Sequence, residues 1–319
     1  MTLLADAEHF AGPPHWAFYI LFYFFVAGLA GGSYFLATLL RHWGTAADEP
    51  VARLGFYVAF PATLIGVILL TLDLRQPLRF WHMLFNTTPK QFGLNFKSAS
   101  PMSVGVWALL LAALFALVSF VDVLARDGRI RHPLAGRLAA LLEGGAGKVW
   151  NVAGTVLYLF IAGYTGVLLA VSNQPVWSDT WALGGLFLAS GLAGAAALLL
   201  LLARYREGAE SSRPVLEISE RLFTALELLL LVVVILTLID DGTLDKAFAF
   251  PWLLLWLVAL AGMLAGLRDL VVRGLRVTTE GAVAAERAPA WAAAWVSAPT
   301  LVLIGVLALR AAVIFSGQG

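Results

Sequence analysis

The chain has 319 residues, of which 61% are hydrophobic and only 13% charged. Soluble domains carry about 25% charged residues, so this composition indicates an integral membrane protein. The net charge of +1 argues against nucleic acid as a partner. Cysteine is absent, which excludes disulfides, thiolate-bound iron–sulfur clusters and covalently attached c-type haem from this chain.

Eight apolar windows of about 20 residues, the length that crosses a bilayer, follow one another along the sequence. They cover approximately residues 15–40, 51–72, 102–124, 149–171, 181–203, 217–239, 251–272 and 291–315. Backbone in lipid must satisfy its own hydrogen bonds, so we predict an all-α integral membrane protein with eight transmembrane helices. Residues 1–8 lack the features of a signal peptide, and we expect them to belong to the mature chain.

The distribution of Lys and Arg predicts the orientation of these helices. Fifteen of the 21 basic residues lie in or beside the connections 41–53, 125–148, 204–221 and 268–287, and five lie in connections on the other side. We therefore expect both termini and the loop 73–101 to be outside. That loop is basic, although connections on the outer side usually carry few Lys and Arg residues. This indicates that something other than topology selects its charges: Arg75, Arg79, Lys90 and Lys97.

Two similar segments predict an internal repeat. Gly28-Leu29-Ala30-Gly31 and Gly191-Leu192-Ala193-Gly194 stand at the same distance before Arg41 and Arg204, although a chance match of Leu-rich sequence is the alternative. The repeat gives two four-helix bundles in parallel orientation, residues 1–172 and 173–319. Only the first bundle has the long outer loop 73–101, so we expect the functional site there.

The five histidines lie at or beyond the ends of the predicted helices, where they cannot form the axial pairs that b-type haem requires. They are His9, His15, His42, His82 and His132. We therefore predict that the chain holds no haem, and the same positions argue against a metal cluster.

Polar aromatic residues at the outer end of the first helix suit a quinone headgroup. His15 shares one side of the helix with Tyr19 and Tyr23. A neutral imidazole can donate a hydrogen bond to a quinone carbonyl or accept a proton from a quinol. A plain interfacial aromatic belt beside Trp16 is the alternative.

Two further residues are candidates for the same chemistry. Tyr164 lies between Gly163 and Gly166, which leave room beside the phenol for a quinone carbonyl; helix packing with a backbone hydrogen bond is the alternative. Asp73 ends the second helix and could receive protons from a quinol. A local ion pair with Arg75 or Arg79 is the other interpretation of Asp73.

Glu217, Glu220, Thr224 and Glu227 fall on one narrow face of the sixth predicted helix. At 1.5 Å per residue this stripe extends from the cytoplasmic edge to about mid-membrane. It predicts either a proton half-channel or a buried structural pair of Glu227 with an arginine from another helix.

Taken in order, six motifs resemble the NrfD/PsrC family, the membrane subunits of polysulfide reductase and related complex iron–sulfur molybdoenzymes. They are His15-Trp16, Gly28–Gly32, Asp73–Trp81, Ser100-Pro101-Met102-Ser103, Gly163–Gly166 and Asn173-Gln174-Pro175-Val176-Trp177. The resemblance covers the first five helices. It implies eight helices in two haem-free four-helix bundles, in a bacterial cytoplasmic (inner) membrane.

The resemblance also implies a site for menaquinone or ubiquinone near the outer face. His15 and Tyr164 resemble the family's quinone-contacting residues, and the motif that contains Arg79 and Trp81 resembles the stretch beside that site. Arg75-Gln76-Pro77 departs from the family's Gly-Arg-Pro by one position, so no role carries over to Arg75 and Arg79 is the substitute.

The partners implied are a ferredoxin-like subunit with four-iron clusters, docking on the outer face near Lys90 and Lys97, and a molybdopterin or other catalytic subunit. Iron–sulfur clusters and molybdopterin would reside only in those subunits. We therefore expect a quinone-reactive subunit that exchanges electrons with an iron–sulfur partner, with coupled proton movement as a further possibility. An ion or solute transporter and a passive membrane anchor are the alternatives.

Overall fold

The computed structural model describes residues 16–74, 76–88, 92–268 and 298–318, and these residues form ten α-helices. The helices are α1 (Phe18–Trp43), α2 (Glu49–Asp73), α3 (Pro101–Arg126), α4 (Pro133–Leu141), α5 (Gly144–Ala170), α6 (Leu183–Ala203), α7 (Arg213–Asp240), α8 (Leu244–Ala247), α9 (Trp252–Gly266) and α10 (Ala298–Ser316). Short 3₁₀ turns precede α2 and α7. In the loop after α2, a 3₁₀ turn at Pro77–Met83 leads into a two-stranded hairpin, β1 (Phe85–Asn86) and β2 (Gly93–Leu94).

Seven described helices are long and apolar enough to cross a membrane: α1, α2, α3, α5, α6, α7 and α10. They coincide with seven of the eight predicted windows. The remaining window, 251–272, contains α9, which is apolar but has only 15 residues before the described part of the chain stops at residue 268. The chain is therefore a multi-pass, all-helical membrane protein with at least seven candidate spans.

The two similar segments, Gly28–Gly31 and Gly191–Gly194, meet at the centre of the molecule. Helices α1 and α6 are the most buried, and they cross where Gly28 faces Gly191. A Cβ atom added to Gly28 would lie only 3.1 Å from the Cα atom of Gly191. The small residues that the sequence singled out therefore bring two helix backbones into contact.

Contacts between the long helices form two rings that meet at α1 and α6. One ring contains α1, α2, α3 and α5, and the other contains α6, α7, α9 and α10. We call them the first and second helix groups. The predicted boundary at residue 172 separates the same helices, but the parallel repeat itself stays a prediction.

The ends of the helices define two faces. The termini face carries Trp16, the loop 74–100, the connections 171–182 and 241–251, and Gln318. The basic face carries the connections 44–48, 127–143 and 204–212. The alternation of the helices thus groups the connections as the distribution of basic residues predicts.

Ion pairs tie the basic face together around Asp127, which follows the last turn of α3. Its carboxylate accepts hydrogen bonds from Arg53 of α2 (2.6 Å), Arg206 of the α6–α7 connection (2.9 Å) and Tyr57 (2.9 Å). Burial favours the neutral acid, but the hydrogen bonds from Arg206, Arg53 and Tyr57 outweigh it and lower the pKa of Asp127 to about 2.

Candidate functional site

Tyr164 lies six residues before the end of α5 and therefore close to the termini face. Its hydroxyl donates a hydrogen bond of 2.5 Å to the carbonyl oxygen of Pro101, the first residue of α3. A Cβ atom at Gly105 would lie 2.5 Å from that hydroxyl, so glycine is what lets α3 approach the phenol. The structure thus shows the backbone hydrogen bond that the alternative interpretation predicts, and contact of Tyr164 with a quinone stays a prediction.

Tyr23 of α1 is a polar neighbour that the structure adds to Tyr164. It is buried, and the two phenols interact electrostatically. Its ring faces Gly66 of α2, where a Cβ atom would lie 3.3 Å from the ring. All four helices of the first group therefore contribute to one group of residues, the tyrosine cluster: Tyr23, Gly66, Pro101, Gly105 and Tyr164.

The sequence placed Tyr23 on one side of α1 with Tyr19 but did not include it in the site. In the structure Tyr19 is 47% exposed, whereas Tyr23 is 5% exposed. The i, i+4 spacing was the signal that could have identified Tyr23. Which of the two tyrosines faces inward depends on α2, whose glycine accommodates the Tyr23 ring.

His15 lies outside the described residues, but its neighbour Trp16 is held firmly at the termini face. The backbone of Trp16 exchanges two hydrogen bonds of 2.9 Å with the Gln318 side chain, and its ring stacks on Trp177 at 5.2 Å. The Trp177 indole donates to the carbonyl of Val313 at 2.7 Å. The start of α1 is therefore fixed on the same face as the tyrosine cluster.

The loop residues of the predicted quinone site are exposed in the structure. Arg79 is exposed, and Trp81 is 41% exposed with its ring centroid 4.0 Å from that of His82. Within the described residues, no hydrogen bond or ring contact joins either side chain to Tyr164, and no ion pair joins Asp73 to Arg79. The loop lies on the same face as Tyr164, but its part in the site stays a prediction; Arg75 and Lys90 lie outside the described residues.

The predicted stripe on α7 is buried along most of its length. Glu217 pairs at the basic face with Arg213 (2.8 Å) and Arg221 (3.9 Å), whereas Glu220, Thr224 and Glu227 are at most 6% exposed. Glu217 and Glu220 line a cavity of about 560 Å³ that opens at the basic face between α6, α7, α9 and α10. The stripe therefore starts at a polar cavity and ends in the bundle interior.

Arg310 of α10 is the charged neighbour of Glu227, as one of the two sequence interpretations requires. The two groups interact electrostatically, although they form no direct ion pair. The buried guanidinium donates instead to the carbonyls of Phe24 (3.2 Å), Phe187 (3.1 Å) and Val306 (3.1 Å). Arg310 thus joins α10 to both central helices, α1 and α6.

Three histidines lie in the described part of the chain, and each has a polar partner. His42 contacts Asn151 (3.0 Å), His82 contacts Thr87 (3.2 Å), and His132 accepts from the amide of Leu134 (3.2 Å). In the same part of the chain, no three His, Asp or Glu side chains come together as ligands for a metal ion.

Comparison with known proteins shows the family of the chain. Residues 7–319 match the family model described as polysulphide reductase, NrfD. Similar proteins include Protein NrfD of Escherichia coli, 26% identical over 200 residues, and one chain of the polysulfide reductase of Wolinella succinogenes, 29% identical over 194 residues. A third is one subunit of the selenate reductase of Mesobacillus selenatarsenatis, 32% identical over 74 residues.

The matched parts cover 60%, 59% and 23% of this chain and 60%, 57% and 17% of those three relatives. The chain thus spans at most about three fifths of the relatives it matches. The family model, in contrast, covers nearly the entire sequence. The chain belongs to the NrfD polysulphide reductase family.

Proposed function

We propose that this chain is the quinone-reactive membrane subunit of a respiratory oxidoreductase in a bacterial inner membrane. The observation that carries the proposal is the tyrosine cluster, in which two phenols from different helices lie together near the termini face. The Tyr164 hydroxyl would donate to a quinone carbonyl in place of the Pro101 carbonyl, and its oxygen can also accept a hydrogen bond from a quinol. Menaquinone and ubiquinone both offer such oxygens.

Electron exchange requires a partner, because the chain has no cysteine for an iron–sulfur cluster. We assign docking of an extrinsic iron–sulfur subunit to the termini face, on the outside of the membrane. Family membership favours this arrangement, since two relatives are named as parts of polysulfide and selenate reductases. A molybdopterin or other catalytic subunit would complete the complex.

The loop 74–100 supplies a surface for that partner. It exposes a set of large apolar side chains although it lies outside the long helices: Leu78, Phe80, Phe92, Leu94 and Phe96. Lys97 and Arg79 add positive charge beside them. An acidic iron–sulfur protein with an apolar contact patch is the partner that this surface fits.

The stripe on α7 adds proton movement to the proposal. Its cavity admits water and protons from the basic face, and its buried carboxyl groups would hold protons as far as Glu227. The positive charge of Arg310 then opposes passage of a proton farther toward α1. We therefore assign the stripe to proton uptake within the second group.

Purification of the complex tests the central proposal. Iron and molybdenum should co-purify with the chain, and the complex should oxidise quinol or reduce quinone. Tyr164→Phe should lower kcat/KM for the quinone roughly fivefold, because one hydrogen bond in a buried site contributes on the order of 1 kcal/mol. The matched control is Tyr205→Phe, whose phenol is 89% exposed at the basic face.

Two outcomes would favour the alternatives. A chain that purifies alone and moves a solute across liposomes would identify a transporter. A complex whose quinone turnover is unchanged by both Tyr164→Phe and His15→Ala would identify a passive anchor.

A further inference from the structure

A column of hydrogen-bonded side chains occupies the interior of the first helix group. It starts with His42 at the basic-face end of α1, where the ring nitrogen Nε2 lies 3.0 Å from Nδ2 of Asn151. Ser119 of α3 lies within hydrogen-bond distance of Asn151 Oδ1 (3.2 Å) and of the Tyr34 hydroxyl (2.9 Å). Contacts at hydrogen-bond distance thus connect four polar side chains from three helices, from His42 at the basic face to Tyr34 in the interior.

The column continues through two stacked phenols. The ring of Tyr34 stacks on that of Tyr158 with centroids 4.8 Å apart, and the two groups interact electrostatically. The Tyr158 hydroxyl lies 2.6 Å from the hydroxyl of Thr63 on α2. We call these six residues the polar column: His42, Asn151, Ser119, Tyr34, Tyr158 and Thr63.

The column runs along the helices. Thr63 lies 14 residues beyond the start of α2, which places it roughly 20 Å from the basic face at 1.5 Å per residue. Gly66, which contacts Tyr23 of the tyrosine cluster, is one helical turn farther along the same helix. The column thus covers most of the distance from the basic face to the tyrosine cluster.

Burial makes this arrangement costly unless the polar groups are satisfied. All members except His42 are at most 4% exposed. Apolar side chains would fill the same space between membrane helices without that requirement. The alternative explanation is interhelical packing by hydrogen bonds, which would be served equally well by pairs scattered at any depth.

Charged groups lie at the entrance of the column. Asp122 of α3 lies one turn from Ser119, is buried, and accepts hydrogen bonds from Arg41 (2.9 Å) and Arg126 (2.7 Å). Both Asp122 and Arg41 interact electrostatically with the Tyr34 hydroxyl. Two titratable groups, His42 and Asp122, therefore stand where the column meets the basic face.

We propose that the polar column carries protons between the basic face and the quinone bound at the tyrosine cluster. The inference rests on the proposed function. For each quinone reduced, two electrons come from the iron–sulfur partner and two protons arrive through the column, giving one quinol; oxidation of a quinol reverses every transfer. Asn151 is a positioning residue that holds Ser119 and His42, while hydroxyl and imidazole groups pass the protons and water molecules bridge His42 to Ser119 and Tyr34 to Tyr158.

This route differs from the stripe on α7. The stripe leads to Arg310, whose positive charge opposes a proton. Between Ser119 and the tyrosine cluster, the column consists of neutral hydroxyl groups. It also lies in the same helix group as Tyr164, so the quinone and its proton supply share one set of helices.

The test uses the complete complex in liposomes, with a pH-sensitive dye on the basic-face side and quinone turnover followed by absorbance. Ser119→Ala breaks the link between Asn151 and Tyr34. Tyr34→Phe removes one hydroxyl and keeps the stacked ring. Their matched controls are Ser190→Ala, a buried serine of α6 bonded only to its own helix, and Tyr57→Phe, a tyrosine outside the column.

We expect wild type and both controls to exchange protons at the basic face in proportion to quinone turnover. Ser119→Ala and Tyr34→Phe should lower that exchange by roughly tenfold or more while quinone affinity stays unchanged. Ser119→Thr keeps a hydroxyl at this position and should restore proton exchange. Recovery would show that Ser119→Ala fails because the hydroxyl is missing and not because the protein is unfolded.

The inference is overturned if both column variants exchange protons as wild type does, or if wild type exchanges them only at the termini face. A different result, in which wild type shows no quinone-dependent electron transfer at all, refutes the proposed function and this inference with it.

Discussion

Replacing Gly28 by alanine should destabilise the junction of the two helix groups. The added methyl carbon would lie 2.6 Å from Nη2 of Arg310 and 3.1 Å from Cα of Gly191. Ordinary contacts between carbon atoms are about 3.5–4.0 Å, so α1 and α6 must separate by roughly half an ångström. The guanidinium must also move, which strains its hydrogen bonds to Phe24 and Phe187.

Overpacking of a tight core costs about 1–3 kcal/mol, and the better helix propensity of alanine returns about 0.5–1 kcal/mol. We therefore expect a net loss of about 1–2 kcal/mol, measured as a lower thermal unfolding midpoint in detergent. Gly163→Ala is the control, because its methyl group would meet its nearest atoms at 3.5 and 3.9 Å, an ordinary contact. A Gly28→Ala midpoint equal to that of Gly163→Ala would show that the crossing is looser than described.

Two further predictions concern carboxyl groups. Because the folded-state pKa of Asp127 is lowered to about 2, its stabilising contribution is present above the unfolded pKa of about 3.9 and lost as pH falls from there toward 2. Asp127→Asn should therefore destabilise the protein at pH 7 by at most about 2 kcal/mol and by much less near pH 2, which unfolding midpoints across pH would show; a constant difference would contradict the ion-pair explanation. Glu227→Gln should leave both electron transfer and the protons moved per quinone in liposomes unchanged, because the charge of Arg310 opposes passage of a proton beyond Glu227; a lower stoichiometry would show that the α7 stripe is a proton route to the quinone.

The spans were predictable from sequence because the requirement for about 20 apolar residues is local and physical. The stripe on α7 was predictable for a similar reason, since helical spacing alone places Glu220, Thr224 and Glu227 on one face. The structure confirms that this face is buried. The length of a span and the face on which its polar residues lie can therefore be predicted from one segment of the sequence alone.

Contacts between distant segments were harder to infer. Gly28 and Gly191 stand in the two similar segments of the sequence, but their direct contact depends on how α1 and α6 cross. Likewise, Arg310 was visible within the last helix, but two of its carbonyl partners, Phe24 and Phe187, belong to α1 and α6, which are far away in sequence. The polar column escaped the sequence analysis because its members are single hydroxyls and amides spread over four helices, with no local spacing to reveal them.

The hydrogen bonds at the two ends of the α1–α6 junction bear on how the molecule can move. At the termini face, Trp16 is bonded to Gln318 of the chain's last described turn; at the basic face, Asp127 of the first group is bonded to Arg206. Alternating-access transporters rock one half against the other, opening each side in turn. Here, opening either side would break hydrogen bonds that bridge the halves, and Arg310 would resist at the pivot. We therefore expect little rocking of one helix group against the other, which suits the proposed electron-transfer subunit better than a solute transporter.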